Sequence, residues 1–263
     1  PVTVAVDSAG ADAGPAVAAA AAADACADPE LRVLLYGPAA ELGRGLESAG
    51  DGAARVTVVD APLSIAKLPD PAAAVRGNPE SSIATVARAV RDGEAQAFVS
   101  GGGTGAALAA GTLIVRRARG VSRPALALPL PRPAAGGIVT LLDVGASTDV
   151  RADQLVQFAF MGTALHRLLT GIERPRVALL SNGEEAERGR EEVVDAHARL
   201  LAQGAALDFA GTVEGNELLA GGCDVVVGDG FTGNIVLKTA EGVSASVMEA
   251  IRAAVTTALA EGD

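Results

Sequence analysis

The sequence contains no tryptophan, and aromatic residues make up only 2% of its 263 residues, although 49% of the residues are hydrophobic. Without large rings, the core must be packed by Ala, Val and Leu, and these small side chains suit close contacts between helices and a sheet. An α/β chain of this length often keeps one sheet and one continuous core. We therefore expect one domain, 1–263, or two closely fused lobes.

Cysteine is also scarce. Cys26 and Cys223 are far apart, and neither lies in a CxxC pattern or beside a histidine. This excludes a disulfide framework and gives no support to a zinc site. We interpret both as buried thiols and expect neither a metal nor a cofactor.

Positive charge is the third shortage, because 32 acidic residues face 21 basic ones and the net charge is -11. Such a chain is not attracted in general to nucleic acid or to an anionic membrane. The N-terminal PVTVAVDSAG lacks a basic start and a long apolar run, and no later stretch approaches the ~20 apolar residues of a membrane span. We expect a cytoplasmic protein, with a peripheral position on the membrane as the alternative.

Short aliphatic runs alternate with longer Ala-rich segments, which is typical of buried parallel strands joined by helices. The predicted strands are Val2–Val6, Leu31–Tyr36, Arg55–Val59, Ala97–Ser100, Ile138–Leu142, Arg176–Leu180, Leu207–Ala210 and Asp224–Val227. The predicted helices are Ala16–Asp24, Ile83–Gly93, Gly105–Arg117, Ala152–Leu169 and Glu184–Gln203. Two Pro-rich stretches, Leu68–Glu80 and Pro124–Gly137, are expected to be surface loops. The final helix, Val243–Ala260, has an apolar face at fourfold spacing, which predicts burial against the core or a partner subunit.

Five predicted strands run directly into glycines or acids, in VDSAG, VSGGGTG, LDVGASTD, LLSNGEE and VVGDGFTGN. Ligands of open α/β sheets bind at the carboxyl ends of the strands. The sequence thus predicts a polar site where these exits meet at one edge of the sheet.

The glycine loop from Ser100 to Gly105 follows a strand and precedes a helix. Its backbone amides could converge on a phosphate. Packing alone also explains such a turn, because the Walker lysine and a GxGxxG are both missing. Both interpretations stay open.

The turn from Asp229 to Asn234 offers a carboxylate, a hydroxyl and an amide within six residues, and Asp143 follows another strand. Each is either part of a substrate site or an ordinary capped turn. Asn182–Arg190 places three acids in a predicted first helical turn, followed by Arg188 and Arg190. That stretch is either a solvated helix start or a source of phosphate-binding arginines.

No residue stands out as a nucleophile. His166 and His197 fall within amphipathic helical patterns and are expected to have packing or surface roles, and no Ser or Cys lies in a GxSxG context. The chemistry is therefore predicted to be direct attack by a bound substrate oxygen, assisted by positioning and electrostatics.

In order along the chain, these turns resemble the motifs of PlsX-type phosphate acyltransferases. The DAMGGD-like turn corresponds to Asp7–Asp12, the SxGNTGA loop to Ser100–Ala106 and the LDVGAN turn to Leu142–Ser147. LVQFALMG is almost intact at Leu155–Gly162, VEG is present at Val213–Gly215, and DGFxGNxxLKTxEG is complete from Asp229 to Gly242. The resemblance covers nearly the whole chain.

This resemblance implies a three-layer Rossmann-like α/β/α fold with a mostly parallel sheet, related to isocitrate and isopropylmalate dehydrogenases, usually as a homodimer. It implies that phosphate attacks the thioester of a fatty acyl group on acyl carrier protein, giving acyl phosphate for phospholipid synthesis. The implied catalytic residues are Arg188, Asn234 and Asp229. The implied phosphate- and acyl-binding residues are Asp7, Gly10, Ser100, Gly102, Gly103, Thr104, Gly105, Asp143, Gly145, Ser147, Gly183, Glu185, Gly230, Thr232, Gly233 and Lys238.

The chain departs from the family pattern at several polar positions. Gly103 and Ser147 replace asparagines, and Arg188 and Arg190 replace the lysine and asparagine of GxExxKGN. The chain also ends soon after LKTAEG, where the family continues through a helical hairpin linked to membrane attachment, so we do not expect membrane association.

The departures leave two alternatives, a phosphotransacetylase-like enzyme that uses acyl-CoA and a degenerate paralogue that binds a carrier or partner without turnover. A nicotinamide dehydrogenase is disfavoured because no metal-binding set of Asp residues can be assembled. An acidic acyl carrier protein would need a local basic patch on this chain. The candidate docking cluster is Arg116, Arg117, Arg119 and Arg123, with a solvated helix end as the alternative.

Overall fold

The computed structural model describes residues 1–261, which fall into two compact units, one that ends at Gly120 and one that begins at Val121. Each unit has its own sheet. The sequence predicted that the strand exits would share one sheet edge, but the strands pair in two sheets and the exits form two groups. Whether the two units behave as a single domain stays a prediction.

The first unit is built on four parallel strands in the order β3-β2-β1-β4. Its elements are β1 (Val2–Asp7), α1 (Pro15–Ala25), β2 (Leu31–Gly37), α2 (Ala39–Glu47), β3 (Val56–Asp60), α3 (Pro71–Gly77), α4 (Ser82–Arg91), β4 (Ala97–Ser100) and α5 (Thr104–Ala110).

Alternate side chains of the central strand β2 enter two different cores. Leu34 and Tyr36 pack in the cluster that contains α4 and α5. Val33 and Leu35 pack in the cluster that contains α1 and α2. Because side chains alternate across a strand, the sheet is covered by helices on both faces and the unit has three layers.

The second unit has five strands in the order β5-β6-β9-β7-β8, and only the edge strand β5 is antiparallel to its neighbour. Its elements are β5 (Ala127–Pro131), β6 (Ile138–Leu142), α6 (Ala152–Thr170), β7 (Arg176–Leu180), α7 (Glu191–Leu201), β8 (Asp208–Val213), β9 (Val225–Val227) and α8 (Gly230–Glu261). Helices α6 and α7 pack on one face, while Leu218 and Val236, the latter in the second turn of α8, lie in the cluster on the other.

The predicted α/β fold is confirmed, and all eight predicted strands are present, some with shifted ends. The two predicted surface loops are wrong, because Leu68–Glu80 contains α3 and Pro124–Gly137 contains β5. Helix α2 was not predicted. The predicted helix Gly105–Arg117 is shorter, since α5 ends at Ala110 and a π turn, Gly111–Val115, follows it.

The predicted helix Glu184–Gln203 begins seven residues later than expected, at Glu191. The acids Glu184, Glu185 and Glu187 are therefore in a loop and not in a first helical turn. The physical reason lies at Gly189, whose φ of 101° is incompatible with a helix.

Burial of the last helix against the core of its own chain was also predicted wrongly. Its apolar stripe is exposed, from 51% at Val247 and Ile251 to 74% at Leu259. Contact with a partner subunit stays a prediction. Within residues 1–261, no helix is long and apolar enough to cross a bilayer.

Candidate functional site

In the first unit, Asp7 is the buried residue that joins three elements. It ends β1, and its carboxylate accepts hydrogen bonds from the hydroxyls of Ser82 at 2.5 Å and Ser100 at 2.7 Å. The strand β4 and the helix α4 are thus fixed to the end of β1. Ser82 lies beyond every motif used in the sequence analysis, so its role was missed.

The predicted glycines of this unit permit loops to pack backbone against backbone. A Cβ atom on Gly102 would lie 3.1 Å from the carbonyl oxygen of Gly10, and one on Gly103 would lie 2.6 Å from that of Ala66. Thr104 and Gly105 begin α5, and a Cβ on Gly105 would lie 2.9 Å from Pro71. Close packing of the backbone therefore explains these glycines in part.

In the second unit, Asp143 organises the loop after β6. The residue is fully buried with a φ of 68°, and its carboxylate accepts hydrogen bonds from the amides of Gly145 at 3.3 Å and Ala146 at 2.7 Å and from the hydroxyl of Ser147. The hydroxyl oxygen of Ser147 in turn accepts from the amide of Gly230 at 3.2 Å. The exits of β6 and β9, which are neighbouring strands, are thus tied together.

The start of α8 is packed tightly on the Asp143 loop. A Cβ atom on Gly233 would overlap the carbonyl oxygen of Asp143, and one on Gly230 would lie 2.7 Å from the amide nitrogen of Ser147. Asn234 is exposed, and its side-chain oxygen would lie 3.9 Å from a Cβ on Gly145. The amide of Asn234 is therefore available beside the interlocked loops.

Asp229 caps the same helix. Its carboxylate accepts hydrogen bonds from the amide of Thr232 at 2.9 Å and from its hydroxyl at 2.8 Å. The capped-turn interpretation thus holds for this residue. A guanidinium nitrogen of Arg190, one of the two arginines that the sequence analysis considered for phosphate binding, lies 3.5 Å from Oδ2 of Asp229.

Arg190 and Asp229 border a cleft of about 410 Å³. Its lining includes the apolar side chains of Leu180, Val193 and Val236 and the polar side chains of Asn182 and Thr232. The cleft can therefore hold a ligand that combines an apolar chain with a polar head. Asn182 was not among the site residues that the resemblance implied.

Arg188, the predicted catalytic arginine, lines a different cleft. It forms an ion pair with Glu185 at 3.4 Å and lines a cleft of about 390 Å³ that also contains Glu184 and Glu214. Gly183 lies beneath it, since a Cβ there would be 2.9 Å from the Arg188 side chain. An anion in this cleft would meet three carboxylates.

The remaining predicted site residues are not among those that line these clefts. Lys238 is exposed on α8 and pairs with Glu241 at 2.8 Å. Arg116, Arg117 and Arg119 are exposed at the end of the first unit, whereas Arg123 belongs to the second and donates to the carbonyl oxygen of Asp149 at 3.1 Å. Carrier docking by these four arginines stays a prediction.

The histidines and cysteines have packing roles. His166 is buried with its Nδ1 atom 2.9 Å from the Thr140 hydroxyl, and His197 lies edge-on to Phe209. Both cysteines are free and buried, as predicted, and burial raises the pKa of Cys223 to about 11. In the described part of the chain, no group of three or more potential metal ligands is found.

Solved structures identify the class of fold. A phosphotransacetylase from Streptococcus pyogenes is similar with a TM-score of 0.65 at 18% identity, covering 92% of this chain and 82% of the other. A 4-hydroxythreonine-4-phosphate dehydrogenase from Burkholderia phymatum has a TM-score of 0.56 at 20% identity, covering 91% and 83%. The chain is a Rossmann-like α/β protein with the fold of these enzymes.

A family model described as "Fatty acid synthesis protein" matches residues 2–262, and the chain belongs to this family, the PlsX family. The phosphate acyltransferase of Phenylobacterium zucineum is 41% identical over 97% of this chain and 73% of its own length. That of Levilactobacillus brevis is 44% identical over 85% of this chain and 64% of its own length. The chain thus spans less than two thirds of the second relative.

Proposed function

We propose that this chain is a phosphate acyltransferase that transfers a fatty acyl group from acyl carrier protein to inorganic phosphate. Its family and the names of its curated relatives support the reaction class. The observation that carries the proposal is the pair of interlocked loops, Asp143–Ser147 and Asp229–Asn234, beside a cleft with one basic residue and apolar lining residues.

In the proposed reaction, a phosphate oxygen attacks the thioester carbonyl carbon. A carbon–oxygen bond forms, the carbon–sulfur bond breaks, and the carrier leaves as a thiolate that takes up a proton. A guanidinium orients the phosphate, and the exposed amide of Asn234 donates to the oxyanion of the tetrahedral intermediate. Leu180, Val193 and Val236 hold the first carbons of the acyl chain. Positioning supplies most of the rate enhancement because the enzyme contributes no nucleophile.

Two arginines can orient the phosphate, and the geometry favours Arg190 over Arg188. Both arginines lie close to carboxylates. Arg190 borders the cleft that also has apolar lining residues, whereas the cleft at Arg188 has no apolar side chain in its lining. We expect Arg190→Gln to lower kcat/KM for phosphate by about 10²-fold, the size of effect seen when one transition-state donor is removed. Arg188→Gln is the matched control, and an equal or larger loss in it would assign the role to Arg188.

The reaction itself is tested by trapping acyl phosphate as the hydroxamate. The enzyme is incubated with hydroxylamine and either acyl carrier protein thioester or acyl-CoA, with and without phosphate. We expect phosphate-dependent hydroxamate with the carrier thioester. A product with acyl-CoA alone would indicate the phosphotransacetylase-like alternative. No product with either donor would indicate a binding protein without turnover.

We propose further that the protein is a homodimer and that α8 contributes to its contact. The exposed stripe of apolar side chains along that helix supports this, because such a face is commonly buried in an assembly. A cytoplasmic location, or a peripheral position on a membrane, remains part of the same proposal.

A further inference from the structure

The first unit contains a cleft of about 350 Å³ for which the function proposed above assigns no ligand. Two short segments line it, 9–12 in the loop after β1 and Ser64, Ala66, Lys67 and Leu68 in the loop after β3. Both loops follow the carboxyl ends of parallel strands, where ligands of open α/β sheets bind.

The lining of this cleft includes Gly10, which packs closely against the loop after β3. A Cβ atom on Gly10 would lie 2.9 Å from the Cβ of Ala66 and 3.1 Å from the Ser64 hydroxyl, so no side chain can cover the backbone there. Within residues 1–261, the amides of Ala9 and Gly10 have no hydrogen-bond acceptor. Adjacent amides that lack acceptors are suited to bind the oxygens of an anion.

Lys67 supplies the only positive charge in the lining, and Asp12 supplies the only negative one. In the described part of the chain, the Lys67 ammonium forms no ion pair. Lys238, by contrast, pairs with Glu241. The Ser64 hydroxyl oxygen accepts from the Ala66 amide at 3.4 Å, which leaves its proton available for donation.

We propose that Lys67, the Ser64 hydroxyl and the amides of Ala9 and Gly10 bind a phosphate group. The ammonium neutralises the charge, and the hydroxyl and amides donate to its oxygens. The phosphate is either inorganic phosphate or the phosphate of an organic acyl donor. The identification of the ligand as inorganic phosphate rests on the proposed function, whereas the anion site itself rests on the cleft and on Lys67.

Chemical protection can test the site directly, because the chain has only two lysines, Lys67 and Lys238. The protein is acetylated with an N-hydroxysuccinimide ester, and the modification of each lysine is followed by mass spectrometry. Acetylation of Lys67 is expected to slow about tenfold when phosphate is present at ten times its dissociation constant, since only the unoccupied fraction reacts. Acetylation of Lys238 should not change. Coenzyme A in place of phosphate identifies an organic source.

Potassium chloride at equal ionic strength is the control for screening. Equal protection by chloride, or protection of Lys238 with Lys67 unaffected, would overturn the proposal. A second measurement uses turnover: Lys67→Gln should raise the KM for phosphate about tenfold, and Lys67→Arg should restore it, because arginine keeps the positive charge that holds the anion. Arg44→Gln, on the exposed face of α2, removes the same charge and should leave KM unchanged.

Protection needs no turnover, so the two proposals can fail separately. Protection of Lys67 in a protein that makes no acyl phosphate would retain the anion site and refute the reaction. Acyl phosphate formation without protection of Lys67 by phosphate or coenzyme A would retain the reaction and refute the site.

Discussion

Gly233 occupies a position where the structure leaves no room for a side chain. A Cβ atom would overlap the carbonyl oxygen of Asp143, the residue that organises the neighbouring loop. We expect Gly233→Ala to lower the free energy of unfolding by about 1–3 kcal/mol, because overpacking forces the backbone to move. The same change should lower kcat/KM for acyl transfer, since it separates the two interlocked loops.

Gly242 provides the matched control for that substitution. It lies in the same helix with no atom within 4 Å of its added Cβ. Gly242→Ala should stabilise the protein by up to about 1 kcal/mol, because alanine is the better helix former. Denaturant unfolding and kinetics of both variants are the measurements, and equal effects on stability and activity would contradict a specific role of the Asp143 contact.

His166 should make stability depend on pH. Burial lowers its pKa, and the nearby Arg132 acts in the same direction, against the opposing effect of Asp224. The unfolded chain therefore binds a proton near pH 6.5 that the folded chain does not bind. The contribution of His166 to the free energy of unfolding is therefore complete above pH 6.5. It decreases as the pH falls below that value, by up to about 1.4 kcal/mol per pH unit.

The measurement is the free energy of unfolding between pH 5 and 7.5 for the wild type and His166→Gln. The variant should show a weaker dependence on pH, because glutamine keeps a polar partner for Thr140 but does not titrate. Parallel curves for the wild type and His166→Gln would exclude this account.

The sequence identified residues that lie in strong local patterns, and it missed residues whose role comes from distant contacts. Asp143, Ser147 and Asp229 follow strands and were found as site candidates. Lys67 lies in a loop and Ser82 is the first residue of α4, neither within a motif, and their neighbours come from elements far along the chain. No spacing in the sequence could have indicated those neighbours.

At the scale of elements, prediction failed where tertiary packing allows glycine or proline within a helix or strand. Strand β5 contains Pro129 and Pro131, which favoured the prediction of a loop. Proline has no backbone N–H to donate to a neighbouring strand, so it is tolerated in an edge strand such as β5, which has a neighbour on one side only. Helix α2 contains Gly45, which lies so close to α1 that a Cβ would be 2.8 Å from the Ala16 carbonyl oxygen. In both cases the packing partner, and not the local sequence, makes the element possible.

Helix α8 carries a stripe of exposed apolar side chains. Val243, Val247, Ile251, Val255 and Leu259 lie on one face and are all more than half exposed. If this stripe packs against a second copy, Val247→Glu with Val255→Glu should weaken the dimer at least about tenfold, because each charge would be buried in an apolar contact. Sedimentation equilibrium measures the change.

Ala245→Glu with Ala253→Glu is the control for the dimer, because both positions lie on the opposite face of α8 and add the same charge. This variant should associate as the wild type does. Equal dissociation constants for the wild type and the Val247→Glu, Val255→Glu variant would show that the stripe is not the dimer contact.

At the scale of the whole molecule, the net charge of -11 opposes the approach of an acidic acyl carrier protein. A local basic surface must overcome that repulsion if the carrier is the donor. Arg116, Arg117 and Arg119 are exposed at the end of the first unit, whereas the guanidinium of Arg123 donates to carbonyl oxygens in the loop after β6. Arg123 is therefore left out of the variant that tests docking.

Replacing Arg116, Arg117 and Arg119 with glutamine should raise the KM for the carrier thioester and leave the KM for phosphate unchanged. The effect should shrink as salt rises from 0.05 to 0.5 M, because exposed charges are screened within about 10 Å at 0.1 M salt. Arg32, Arg44 and Arg91, also exposed in this unit, give a control variant of identical net charge. If both triple variants raise the carrier KM equally, overall charge and not a docking surface governs the encounter. The reason is that the position of the removed arginines matters only if the carrier binds to a local basic surface.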